Sequence, residues 1–207
     1  MKKLVLVLSI MLFSVGTYAQ HAVGTLTIQP KVGLNISNYT KSDGADSRIG
    51  LAMGAEFESQ ITNRFSLSVG ALYSMQGAKI ATVDASTGIN VKTTFKTDYI
   101  NSPIMANVYV VQGLALKAGI QPGINVNASY SASAQGVTVS GKLSDVGVGV
   151  NVKTLDFAIP VGLSYEYKNI VLDARYFFGL TKIDKTDEPD TARNQYVSIT
   201  LGYKIHF

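Results

Sequence analysis

The chain has no cysteine and no tryptophan, two histidines in 207 residues, and a charged fraction of only 15%. Without cysteine there is no disulfide framework and no thiolate metal site. His21 and His206 are too few for a histidine-rich metal centre. Soluble domains carry about a quarter charged residues, so this chain is short of the means to cover an ordinary solvated surface. The excess of one sign is also small, with 18 Lys and Arg against 14 Asp and Glu for a formal net charge of +4. These residues are scattered, which excludes the basic footprint of a nucleic-acid binder despite a pI near 9.1. A long apolar run is missing too. Past the first twenty residues nothing reaches the roughly 18 consecutive apolar residues of a membrane helix. No Gly-rich phosphate loop, GxSxG elbow or metal-ligand spacing is found, so catalytic, cofactor and metal residues are all expected to be none.

What is present is a hydrophobic fraction of 46%, with 19 Gly, 11 Tyr and 8 Phe, a composition that excludes disorder. The chain opens on Lys2 and Lys3, a greasy run from Leu4 to Phe13, and small residues ending at Ala19. That pattern is a cleaved export signal over residues 1–19, with the mature domain expected over 20–207; a signal anchor is the alternative. The apolar run is short for a bilayer span, which takes about 20 residues. Cleavage removes both lysines, lowering the formal charge from +4 to +2.

The rest alternates by twos, as strands do and helices do not. Eight stretches carry the pattern. They begin near Leu26, Ile49, Phe65, Tyr99, Leu114, Leu155, Ile170 and Val197, and the last runs to Phe207. In the sixth, for example, Leu155, Phe157, Ile159, Val161, Leu163, Tyr165 and Tyr167 oppose Asp156, Ser164 and Glu166. Thr62-Asn63-Arg64, Gln112-Gly113 and Lys168-Asn169 make tight hairpin turns. Between them lie long polar connections: Tyr39 to Arg48, Lys79 to Asp98, Ser131 to Thr154 and Thr181 to Asn194. Short turns at one end and long loops at the other are the asymmetry of an outer-membrane barrel.

A soluble barrel or sandwich alternates as well, so the faces must decide. The polar set holds Lys31, Glu56, Glu58, Lys117, Asp156, Glu166, Asp173, Arg175 and Lys204, four positive and five negative. A nearly balanced set can pair off inside a narrow lumen. Aromatics gather near both strand ends: Phe57, Phe65, Tyr165, Tyr167, Tyr203 and Phe207 by the short turns, and Tyr73, Tyr130, Phe157 and Phe178 by the long loops. Two such girdles mark membrane interfaces. Open edges are not tolerated in hydrocarbon, so the eight strands are expected to close. The expectation is an all-β, eight-stranded antiparallel up-and-down transmembrane barrel in the outer membrane of a Gram-negative cell, with both termini periplasmic.

The stretch Tyr99-Ile100-Asn101-Ser102-Pro103-Ile104-Met105-Ala106-Asn107-Val108-Tyr109 is similar to the Y-x-x-x-P-h-h-h-x-h-Y strand of the PorT-like outer-membrane β-barrel family. Ala118 to Gly123 resembles that family's next strand, and Asp173 to Thr181 its ARY-x-x-GLT strand. Leu201 to Phe207, with its final aromatic, resembles the terminal strand that barrel-assembly machinery recognises, through Tyr203, Ile205 and Phe207. The resemblance spans Gly24 to Phe207, with departures at Asn101 and in the Ser131–Val152 loop. It implies a small OmpA-like barrel, and a role in a secretion and gliding apparatus for the name-giving member.

Asp173, Arg175 and Glu166 suggest either a gate or a static network that fills a narrow barrel, and the network is favoured because an eight-stranded lumen has room only for side chains. Glu56 and Glu58 would serve acid–base work as a pair, but Lys31 is placed to neutralise them. Neither histidine is positioned for lipid-modifying chemistry at the outer leaflet. The function expected is therefore non-enzymatic, structural or interactive, through the extracellular loops. The alternatives are a narrow pore or small-solute transporter, and a component of a protein-secretion apparatus. Expected partners are outer-membrane lipid, assembly machinery during insertion, and an unnamed surface or periplasmic protein. The Ser131–Val152 segment is expected to extend its flanking strands as a hairpin, and the Thr181–Asn194 loop to be a solvated charged face.

Overall fold

A computed structural model describes residues 22–40, 45–83, 90–143, 152–182 and 192–207. The expected leader, His21, the Val146–Val150 repeat and the acidic residues from Asp184 to Asp190 lie outside the described residues. The elements are β1 (Leu26–Tyr39), β2 (Ala45–Thr62), β3 (Phe65–Val83), β4 (Asn90–Asn101), β5 (Ile104–Val111), β6 (Leu114–Ala134), β7 (Val137–Lys142), β8 (Leu155–Tyr167), β9 (Ile170–Lys182), β10 (Arg193–Tyr203) and β11 (Ile205–His206).

These segments make eight staves. β4 and β5 are one stave interrupted at Ser102-Pro103, and β10 and β11 are another interrupted at Lys204. All pairings are antiparallel, and β1 closes the ring by pairing with β2 on one side and with β10 and β11 on the other. Pro103 has no N–H for the ladder, yet its carbonyl still accepts from Gly70 N at 2.9 Å, while Ser102 N donates to Pro122 O at 2.8 Å. The break therefore bends the stave without opening the wall. β7 pairs with β6 alone and rises beyond the ring.

Which face looks outward follows from burial. Phe157, Leu163 and Ile199 are 48%, 48% and 47% exposed, whereas Glu58, Lys117 and Arg175 are 5%, 4% and 4% exposed. A protein in water would not leave so continuous an apolar belt uncovered. In a bilayer the same belt is the lipid contact, and backbone polarity is satisfied by closure. The 13 residues of β8 rise roughly 30 Å at about 3.3 Å per residue and a tilt near 40°, which matches the hydrocarbon thickness. Phe57, Tyr165, Tyr167, Tyr203 and Phe207 project from the belt at the short-turn end, and Phe157 and Phe178 at the other.

The inner face alternates large polar side chains with glycine. A Cβ on Gly70 would lie 2.6 Å from Glu56 Cγ, and one on Gly202 would collide with the amide of Gln29. Small residues thus make room for the long side chains that fill so narrow a lumen.

One expected loop is largely strand, and the hairpin expected from Ser131 onward is formed by the end of β6 and by β7. β3 continues to Val83 and β4 begins at Asn90, so much of Lys79–Asp98 is ladder, and β6 continues to Ala134 before turning into β7. The period of two persists there with its polarity reversed. On β3, Ser74 and Gln76 are buried in the lumen and joined by a 3.0 Å hydrogen bond, so the even residues face inward and Lys79 faces outward. Ala78, Phe95 and Tyr130 share one inward row across β3, β4 and β6. Tyr130 is therefore on the inner face of this extension and not in a lipid girdle. A one-residue bulge, which sets Asp98 and Tyr99 opposite Asn127 and Asn125, turns Asn127 outward as well.

Candidate functional site

The short-turn half of the lumen holds two ion clusters. In the first, Arg175 on β9 donates from Nη1 to Glu56 Oε1 at 2.6 Å and from Nη2 to Glu56 Oε2 at 2.8 Å. Its Nη2 also meets Asp173 Oδ2 at 2.6 Å. Lys31 Nζ lies 3.1 Å from Glu56 Oε2 and 3.4 Å from Asp173 Oδ2, and Lys117 Nζ lies 3.1 Å from the same Asp173 oxygen. The forked Arg–Glu contact is the strong, directional kind of pair, and it bridges β9 to β2 through the lumen.

The second cluster centres on Lys204, at the interruption between β10 and β11. Its Nζ lies 3.0 Å from Glu58 Oε2, 2.9 Å from Glu166 Oε2, and donates to Tyr109 OH at 3.0 Å. Tyr109 in turn donates to Glu58, whose Oε1 also accepts from Ser66 Oγ at 2.6 Å. Tyr109 stands on β5, diametrically opposite Lys204 in the eight-stave ring. Together the clusters hold Lys31, Lys117, Arg175 and Lys204 against Glu56, Glu58, Glu166 and Asp173. Four charges face four, so the two clusters taken together carry no net charge into the low-dielectric interior.

Asp156 is not in this network. β8 sets it opposite Gly123 of β6, six residues and so roughly 20 Å of strand along from Lys117. It sits in the long-loop half of the lumen beside Asn194, Tyr99 and Tyr196, without an ion pair among the described residues. This half is filled by rings and amides. Phe177 and Tyr196 stack with centroids 4.2 Å apart. Gln121 Nε2 donates to Tyr196 OH at 2.8 Å, and Asn194 Nδ2 to Tyr99 OH at 3.0 Å.

Between the two halves is a cavity of about 20 Å³, bounded by Lys31, Asn35, Arg175, Tyr196 and Thr200 among others. That is room for about one water molecule. Arg175 Nε, Asn35 Oδ1 and Thr200 Oγ1 have no protein partner and are the groups such a water would satisfy.

A further ion pair, absent from the sequence-derived site, lies at the long-loop edge of the belt. Asp98 Oδ1 is 3.5 Å from Arg48 Nη1, and its Oδ2 accepts from Tyr73 OH at 3.1 Å and from Asn127 Nδ2 at 2.9 Å. In the sequence pattern both charged residues fall at loop ends. The signal that would have found them is the alternation continuing, inverted, through 77–83 and 90–98. At the opposite end of the barrel, His206 Nδ1 is 3.3 Å from Asn169 Nδ2 on the surface, away from any enclosed space. Tyr203, Ile205 and Phe207 are 53%, 43% and 78% exposed on the outer wall.

Closed walls, an apolar belt and a lumen occupied by its own side chains define a small transmembrane β-barrel. A family model described as an outer membrane protein beta-barrel domain matches residues 18–185, and the chain belongs to that family. It is an integral outer-membrane protein. Similar folds include Neisserial surface protein A, 15% identical over 87% of this chain and 97% of that one, with a TM-score of 0.50. They also include Ail, the attachment invasion locus protein of Yersinia pestis, solved with the heparin analogue sucrose octasulfate (12% identity, 89% and 100% coverage, TM-score 0.48). OprG of Pseudomonas aeruginosa is similar at 10% identity, with 92% and 100% coverage and a TM-score of 0.43. At these identities the likeness is one of fold. No curated protein matches the sequence.

Proposed function

We propose that the protein is a plugged outer-membrane barrel with a non-enzymatic, structural or interaction role, exerted through the surface at its long-loop end. The observation that carries this reading is the lumen. Its eight clustered charges are spent on one another, and the cavity beside them, about 20 Å³, admits no solute. A wall held this rigidly is a scaffold for loops. On this reading residues 1–19 are an export signal and the mature barrel begins at Gln20. Both ends of the barrel reach the short-turn side, where Phe207 N donates to Leu26 O at 3.0 Å, and that side is periplasmic. Tyr203, Ile205 and Phe207 then form the terminal signature read by assembly machinery, in keeping with the PorT-like resemblance of Tyr99 to Tyr109 and of Asp173 to Thr181.

The competing reading is a narrow pore, and single-channel recording separates the two. The purified barrel in planar bilayers is expected to give no stepwise conductance, while its gel mobility in SDS shifts on boiling. Reproducible channel steps from a heat-modifiable, folded preparation would overturn the plugged reading in favour of the pore.

A further inference from the structure

Just beyond the belt at its long-loop end, the outward face of β3, β4, β6 and β7 becomes cationic. Pairing sets Gly77, Lys96, Ser129 and Lys142 in one row, and Lys79, Thr94, Ser131 and Ser140 in the next. The orientation is fixed from below. Gln76 and Thr97, opposite one another, are buried in the lumen, so Lys96 and Lys79 point the other way. Lys92 follows one row further out on the same face. None of these lysines enters an ion pair among the described residues. Asp46, across from Lys79, is the one acid sharing their rows there; Asp98, just below, is already occupied by Arg48, Tyr73 and Asn127.

Depth is set by Asp98. A carboxylate is costly in hydrocarbon, so its polar cap marks where the acyl chains end. Lys96 lies two residues beyond it and Lys79 four rows beyond it, or roughly 5 and 10 Å at strand rise and barrel tilt. Headgroups occupy roughly 5–7 Å on each side of the hydrocarbon, and a lysine side chain extends or folds back by several ångströms. Lys79, Lys96 and Lys142 therefore surround Ser129 and Ser131 at headgroup level, a cationic rim with hydroxyl donors at its centre.

We propose that this face binds the anionic phosphate headgroup of a lipid packed against the belt in the leaflet at the long-loop end. The inference rests on the membrane-spanning reading, but not on whether the lumen conducts. A lipid is the fitting occupant because the rim continues upward from the belt that its acyl chains would cover, so one molecule meets both surfaces.

The test uses the full barrel in phosphatidylcholine nanodiscs doped with phosphatidic acid, with retained lipid counted by native mass spectrometry after release. Wild-type protein is expected to retain phosphatidic acid. The triple variant Lys79→Gln, Lys96→Gln, Lys142→Gln is expected to bind it about a hundredfold more weakly, since each lysine beside an anionic surface contributes about fivefold. Lys168→Gln, in a turn at the other end, is expected to match wild type. Equal retention by wild type and triple variant, both heat-modifiable on gels, would overturn the proposal. So would displacement of the lipid by millimolar inorganic phosphate, because the site would then take a free anion. A chain that fails to insert at all would instead count against the barrel reading itself, so the two failures are distinguishable.

Discussion

Replacing Arg175 with methionine is expected to destabilise the folded barrel by about 3–5 kcal/mol, the usual result of removing one partner from a buried ion cluster. The substitution leaves Glu56 and Asp173 with Lys31 and Lys117 as their only counter-ions, at 3.1 to 3.4 Å, in a space that excludes bulk water. The loss of the forked contact matters as well as the charge, so Arg175→Lys should fall between wild type and Arg175→Met. Adding Glu56→Gln to Arg175→Met should recover at least half of the loss by restoring the balance of the two clusters, three charges against three. Denaturant unfolding in lipid vesicles, alongside the temperature at which the compact gel form disappears, measures both effects. A loss below about 1 kcal/mol for Arg175→Met would mean that the cluster does not hold the lumen together.

The second large effect is on the opposite face. Ile199 points outward midway along β10, in register with Leu34 and Ala174. A lysine there must lie in hydrocarbon near the midplane, at an expected cost of about 2–4 kcal/mol. The same substitution at Ala81, outward on the extension beyond Asp98, should stay within about 0.5 kcal/mol, because that surface is outside the acyl region. The contrast is informative because an outward lysine on a water-soluble barrel would cost little at either place. Matched values at Ile199 and Ala81, measured by unfolding in vesicles, would put the apolar belt in water and remove the basis for the membrane assignment.

Much of the barrel is legible in the residue pattern because a strand converts period two directly into two faces. Leu163 and Ser164 cannot share a side, so once the turns at Asn63-Arg64, Gln112-Gly113 and Lys168-Asn169 are recognised, the order of the staves follows. The lumen charges are legible for the same reason. Lys31, Glu56, Glu58, Lys117, Glu166, Asp173, Arg175 and Lys204 are isolated charges in otherwise greasy stretches, and each reads as inward-facing. The role of Tyr109 is not legible there, because nothing local says that a residue diametrically across the ring will offer a hydroxyl to Lys204.

Height within the lumen is where the pattern falls silent. Alternation reports the face of Asp156 but not its level, and level depends on how far each strand is slid against its neighbours. The β6–β8 register lifts Asp156 to Gly123 and away from Lys117. The inverted segments failed for a related reason. Lys79, Lys92 and Lys96 on the outward side look like loop residues when the outward side is assumed to be greasy throughout. The reversal makes sense only once the hydrocarbon boundary near Asp98 is located in space.

The residues taken alone determined the strand period, the two faces, the tight turns and the near-balance of inward charge, since these depend only on neighbours along the chain. The folded ring decided which charges meet, that they cancel four against four, how little space remains beside them, and where the belt gives way to lysines. Those properties arise from shear and closure, which bring residues more than a hundred positions apart into contact, as with Arg175 and Glu56. No one-dimensional pattern carries that distance.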